Sequence, residues 1–191
     1  YAHAVDILAS DDYPINEKKP CNLLRVARTT DLLRRATKGE KPVWLVIQST
    51  SKATPEEEYA VTYLGVTHGA NGILYWEYND AKRSPAVWEA VVALSNELKA
   101  LTPALTAPTV QPGARADSSD VHLITKDAAD GLYVIAVNAA PEPVGRVTIT
   151  IPRHLDAPAE VLFEGRRIKL ADGKITDEFR GYERHVYRIG K

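Results

Sequence analysis

One unit, a short apolar strand followed by an amphipathic helix, is written three times before Thr102 and never after it. Val5-Asp6-Ile7-Leu8 reads as the first strand, and Leu23, Val26, Ala27, Thr30 and Leu33 then recur at helical spacing up to Gly39, a helix stop. Val43-Trp44-Leu45-Val46-Ile47 is a continuous apolar run, as expected of a strand covered on both faces. Thr54-Pro55-Glu56-Glu57 places Thr at the N-cap, Pro at the first helical position and Glu at the capping-box position, which predicts a helix through about His68. Ile73-Leu74-Tyr75-Trp76 is the third strand. Ser84-Pro85 opens the third helix, whose Val87, Val91, Leu94, Leu98 and Leu101 form one stripe before Pro103 ends it. Alternation of this kind predicts parallel strands with right-handed crossovers.

Beyond Thr102 the texture changes. Pro103, Pro108, Pro112 and Gly113 among small residues give linker composition. Period-2 segments follow at residues 121–125, 132–138, 146–151, 160–163, 167–170, 174–179 and 185–189, and Ala171-Asp172-Gly173-Lys174 reads as a hairpin turn between two of them. The expected architecture is α/β followed by all-β: residues 1–103 parallel strand–helix units, 104–117 linker, 118–191 a small antiparallel β-sandwich. The sandwich carries none of the three Trp, so it is expected to be a structural domain whose aromatic residues are largely core.

Three parallel strands with apolar faces need neighbours, and a complete eight-fold barrel takes roughly 250 residues. The chain has 191 residues, no Met, and begins Tyr1-Ala2-His3, so it is expected to be a processed or excised piece lacking about five strand–helix units at its amino end. Its location is unreadable from these residues; an extracellular or periplasmic place would follow from a signal peptide in the parent protein.

Charge and composition exclude other classes. With 24 Lys+Arg against 25 Asp+Glu the chain is neither a basic nucleic-acid binder nor a polyelectrolyte tail. No apolar run approaches the roughly 18 residues of a membrane helix. The five His show no pairing at ligand spacing, Cys21 is alone, and Gly69-Ala70-Asn71-Gly72 precedes a strand where a phosphate-binding turn follows one. Neither a metal nor a cofactor is expected.

Function in parallel sheets and barrels collects beyond the carboxyl ends of the strands. Those ends carry Ser10-Asp11-Asp12-Tyr13-Pro14, Gln48-Ser49-Thr50-Ser51 and Glu77-Tyr78-Asn79-Asp80. Carboxylates, amides, hydroxyls and aromatic rings on one face suit a sugar, whose hydroxyls pair with polar groups while a ring covers its C–H side. Alternation sets a constraint: Trp76 and Glu77 cannot both face the lumen unless the strand is irregular there.

Here a resemblance enters. Asp6-Ile7-Leu8-Ala9-Ser10-Asp11-Asp12-Tyr13-Pro14, Lys41-Pro42-Val43-Trp44-Leu45-Val46-Ile47-Gln48 and His68-Gly69-Ala70-Asn71-Gly72-Ile73-Leu74-Tyr75-Trp76 resemble strands six, seven and eight of a clan-A (β/α)8 TIM-barrel glycoside hydrolase. The tail from Val161-Leu162-Phe163-Glu164 to His185-Val186-Tyr187-Arg188-Ile189 resembles the β-sandwich that closes many such enzymes. The resemblance implies a glycosidase acting on a poly- or oligosaccharide, with the N-terminal remainder of the barrel as partner. Retaining clan-A enzymes use one Glu after strand four and a second after strand seven. Strand four lies outside this chain and the strand-seven position holds Gln48, an amide that cannot form a glycosyl ester. The expected site carboxylates are therefore Glu77 and Asp11, with Tyr13, Gln48 and Tyr78 positioning substrate and Trp76 as a stacking platform. Gln48 also motivates the alternative, a catalytically inert carbohydrate-binding protein on the same scaffold.

Overall fold

The computed structural model describes residues 4–153 and 157–190. The chain divides into two compact units, Tyr1–Leu94 and Ser95–Lys191.

In the first unit β1 (Leu8–Asp12), α1 (Leu24–Ala36), β2 (Val43–Gln48), α2 (Pro55–Thr67) and β3 (Gly72–Trp76) are followed by the short α3 (Tyr78–Ala81) and by α4 (Pro85–Ala100), which runs across the boundary. The three strands pair in chain order and in parallel. Val43, Leu45 and Ile47 pack with Val26 of α1 and Val61 of α2, so one face of the sheet is buried under helices. The other face carries Trp44, Leu74 and Trp76, which are 38%, 45% and 57% exposed. At the start of α2, Glu57 N–H donates to Thr54 Oγ1 at 3.2 Å and Thr54 N–H donates to Glu57 Oε2 at 3.0 Å, the reciprocal box the sequence predicts.

The first strand corrects the sequence reading. It lies at residues 8–12, not at 5–8, so the polar run Ser10-Asp11-Asp12 is paired strand rather than loop. Asp12 is tolerated there because its side chain, buried on the helix side, accepts from Thr29 Oγ1 at 2.7 Å and pairs with Arg25 at 2.8 Å. Neither partner can be inferred from local periodicity.

The second unit contains α5 (Thr102–Leu105), β4 (Arg115–Ala116), β5 (Val121–Ala128), β6 (Gly131–Asn138), β7 (Gly145–Thr150), β8 (Ala159–Val161), β9 (Arg166–Ile168), β10 (Lys174–Phe179) and β11 (Arg184–Ile189). The strands form two antiparallel sheets, β10-β7-β4 and β5-β6-β11-β8-β9. Val134, Ala136, Val161, Tyr187 and Ile189 of the larger sheet meet Val147, Ile149, Ile175 and Phe179 of the smaller in one core, as in a sandwich. Tyr133, Phe179, Tyr182 and Tyr187 are buried and Phe163 is exposed.

Two sequence readings of this half change. The Pro-rich stretch at 104–117 holds part of α5 and the strand β4, and Val110 N–H and Ala114 N–H donate to the Thr125 carbonyl and hydroxyl at 2.9 and 2.8 Å. The turn at Ala171–Lys174 forms, with Asp172 and Gly173 at φ of 51° and 69°, but the strands it joins belong to different sheets: β9 pairs with β8 and β10 with β7. The chain crosses the core there through buried Leu170.

Buried polar groups in this unit are satisfied in clusters. Asn138, fully buried, donates to the carbonyls of Glu142 and Arg180 at 2.9 and 2.8 Å and accepts from Ala140 N–H at 2.9 Å. Both ring nitrogens of buried His185 face acceptors, Glu164 Oε1 at 2.6 Å and the Glu178 carbonyl at 3.0 Å. Burial alone would raise the Glu164 carboxyl; the His185 and Arg166 bonds outweigh it and hold that group below its ordinary range.

Candidate active site

Register builds the open face of the three-stranded sheet in tiers. Trp44 stands beside Gly72, Asp11 beside Val46 and Val46 beside Leu74, and Gln48 beside Trp76. Partners in a parallel ladder point to the same side, so Asp11, Gln48 and Trp76 share the face opposite the helices and climb towards the carboxyl ends. Gly72 is required by its neighbour: a Cβ there would lie 2.7 Å from atoms of the Trp44 indole.

The Trp76–Glu77 peptide bond is cis. Ser49 N–H donates to the Trp76 carbonyl and Glu77 N–H donates to the Ser49 carbonyl at 3.1 Å, which carries the β2–β3 pairing past the last strand residues. Glu77 then caps α3 through its backbone, its side chain half-buried and without a hydrogen-bond or ion-pair partner among the described residues. Asp11 is exposed. Tyr13 follows it two residues on, and burial together with the Asp11 charge raises its phenol above the ordinary value.

Two residues expected to hold substrate have other contacts. The Gln48 side-chain oxygen accepts from Ile15 N–H at 3.0 Å, which folds the loop after β1 back towards the end of β2 and buries Pro14 and Ile15. Tyr78 turns its ring to Trp88, edge to face with centroids 5.0 Å apart, and Lys82 Nζ lies 4.7 Å from its centroid. Asp11, Gln48 and Trp76 thus share the open face and Tyr13 and Glu77 follow them in the chain, while Tyr78 belongs to a contact with α4.

Two further carboxylates escaped the sequence reading. Asp80 accepts from Thr50 Oγ1 at 2.5 Å, Ser51 N–H at 3.2 Å and Ser51 Oγ at 3.0 Å, and these bonds hold it below its ordinary value. Glu58, on α2, is fully buried under the same loop. Neither of its oxygens nor Ser49 Oγ makes a well-formed hydrogen bond, and burial pushes its carboxyl up to about 8 against the smaller opposing pull of Thr50 and Ser49. Asp80 stood within the quoted polar run, but nothing local marks it as a partner of Thr50 thirty residues away.

No group of three or more potential metal ligands occurs among the described residues, and no helix there is long and apolar enough to cross a membrane.

Residues 1–103 match the model of a glycoside hydrolase family, number 42, described as beta-galactosidase. No curated protein matches the sequence. Among solved structures the chain is similar to a GH30 endoxylanase from Clostridium papyrosolvens (11% identity, TM-score 0.58, covering 100% of this chain and 50% of that one). It is also similar to AmyP in complex with maltose (12%, TM-score 0.62, 94% and 49%) and to an Anoxybacillus alpha-amylase (14%, TM-score 0.55, 97% and 38%). At these identities the likeness is one of fold: the last three β/α units of a TIM barrel followed by a β-sandwich. The chain spans half or less of the length of these proteins.

Proposed function

Because the chain belongs to the glycoside hydrolase 42 family, described as beta-galactosidase, we propose that its strand ends form part of the active site of a glycosidase acting on β-galactosides or oligosaccharides ending in one. The observation that carries this reading is that Asp11, Gln48 and Trp76 share one face of the sheet at its strand ends, with Tyr13 and Glu77 following them in the chain. Glu77, with no hydrogen-bond or ion-pair partner among the described residues, and exposed Asp11 are the site carboxylates. Tyr13 and Gln48 position the sugar, Tyr78 supports the rim through Trp88, and Trp76 supplies a stacking surface for the apolar side of the ring.

Glycoside hydrolysis needs one carboxyl to protonate the leaving oxygen as the C–O bond breaks, and a carboxylate either to attack the anomeric carbon or to take a proton from the water that does. Gln48 can do neither. Glu77 or Asp11 takes the role that Gln48 cannot, and the remainder of the barrel, the partner of this face, supplies the carboxyl after strand four.

Turnover of p-nitrophenyl β-galactoside by the intact protein tests the reading. Glu77→Gln and Asp11→Asn should each lower kcat by about 100-fold or more, and Trp76→Ala should raise KM. Unchanged kcat in either carboxylate variant removes that residue from the chemistry. Gln48 favours a second reading, an inert carbohydrate-binding protein, and galactose binding without turnover would decide for it.

A further inference from the structure

Glu77 and Gln48 sit on different strand ends, and a reaction at their face requires that the distance between those ends be fixed. Backbone pairing at Ser49 gives one tie. A second is a side chain: Asp80 lies three residues beyond Glu77 in the single turn of α3, where Ala81 N–H donates back to the Glu77 carbonyl at 3.1 Å. Its carboxylate reaches the loop after β2, where it takes both hydroxyls, Thr50 Oγ1 and Ser51 Oγ, and the Ser51 amide. Thr50 follows Gln48 by two residues and is buried.

We propose that Asp80 is a positioning residue: by clamping Thr50 and Ser51 to α3 it fixes the Glu77 carboxylate relative to Gln48 and Trp76. The inference rests on the glycosidase reading for its consequence in turnover, although the clamp itself does not. Three donors of the loop after β2 converge on one carboxylate, with Arg83 a fourth at 3.4 Å, and a side chain without oxygen at this place meets none of them. Because α3 is one turn long, loss of the clamp frees the segment that starts at Glu77. Misplacement of a catalytic group by about 1 Å costs on the order of 100-fold in rate.

The test has two arms. In this chain, Asp80→Ala and the Thr50→Val/Ser51→Ala pair, which leaves the carboxylate in place, should both speed amide exchange across residues 49–53 and move the Glu77 carboxyl carbon resonance. In the intact protein both should lower kcat on p-nitrophenyl β-galactoside by about 10- to 100-fold with KM nearly unchanged. Exchange and the Glu77 resonance unchanged from wild type would overturn the clamp. Faster exchange with unchanged kcat would overturn the positioning role. A wild-type protein that turns over no galactoside defeats the glycosidase reading instead, and the Glu77 resonance then decides the clamp alone.

Discussion

Glu58 gives the sharpest quantitative expectation. In the folded chain its carboxyl is pushed from an ordinary 4.5 up to about 8, chiefly by burial. Between those values the folded state keeps a proton that the unfolded state has released, so stability must fall as pH rises. The contribution is fully present below 4.5 and gone once pH passes about 8. At about 1.4 kcal/mol per pH unit, that interval corresponds to about 5 kcal/mol, an upper figure because Ser49 and Thr50 reorient to meet the charge. Glu58→Gln keeps the shape and removes the proton. Urea unfolding followed by Trp fluorescence reports on the right unit, since Trp44, Trp76 and Trp88 all lie within residues 1–94. Wild type and variant should be alike near pH 5, and by pH 8.5 the Gln variant should be the more stable by several kcal/mol. The Glu57 charge is part of the rise in wild type, and the Glu57–Lys19 pair itself is present in both proteins. Parallel stability curves from pH 5 to 8.5 would refute the argument, because they would mean that Glu58 ionises at the same pH in both states.

Three other outcomes follow from geometry. Gly72→Ala puts a Cβ 2.7 Å from the Trp44 ring and should cost about 1–3 kcal/mol in thermal unfolding, with much of it recovered in a Trp44→Leu background. Asn138→Ala removes the buried donor to the Glu142 and Arg180 carbonyls and the acceptor for the Ala140 amide; a loss of about 3 kcal/mol in urea unfolding is expected, and a loss under 1 kcal/mol would show that water replaces the side chain. Thr54→Ala removes the acceptor for Glu57 N–H, which should cost about 1 kcal/mol and speed exchange at that amide.

What could be read from the sequence was what is decided locally. The start of α2 was legible because Thr54 and Glu57 complete each other within one turn. Alternation, fixed by the backbone, put Gln48 on one face with Trp44 and Val46, but Asp11 joins that face only because β1 runs on to Asp12. Asp12 was misread as loop because its burial depends on Arg25 and Thr29, on an element that periodicity cannot dock. The Ala171–Lys174 turn shows the same divide, since its conformation is local while the sheet each flanking strand joins is not. Tyr78 belongs to the rim by position, yet its ring is turned to Trp88. Asp80 and Glu58 were missed for a related reason: one is identified by donors about thirty residues upstream, the other by the loss of water around it.

The order of strands in the larger sheet of the sandwich also governs how that sheet is made. β11 is the last strand in sequence, yet it lies inside the sheet with β6 on one side and β8 on the other. On the ribosome the β5–β6 and β8–β9 ribbons therefore emerge first, each with one edge that has nothing to pair with. Ribosomes add about 5–20 residues per second, so the interval from the end of β8 to the arrival of β11 is roughly one to five seconds. During it two open edges wait in the crowded space outside the exit tunnel, exposed to pairing with neighbouring nascent chains. Synonymous codon choice between Val161 and Arg184 sets how long they wait, and a stop codon before Tyr187 leaves them open for the life of the molecule.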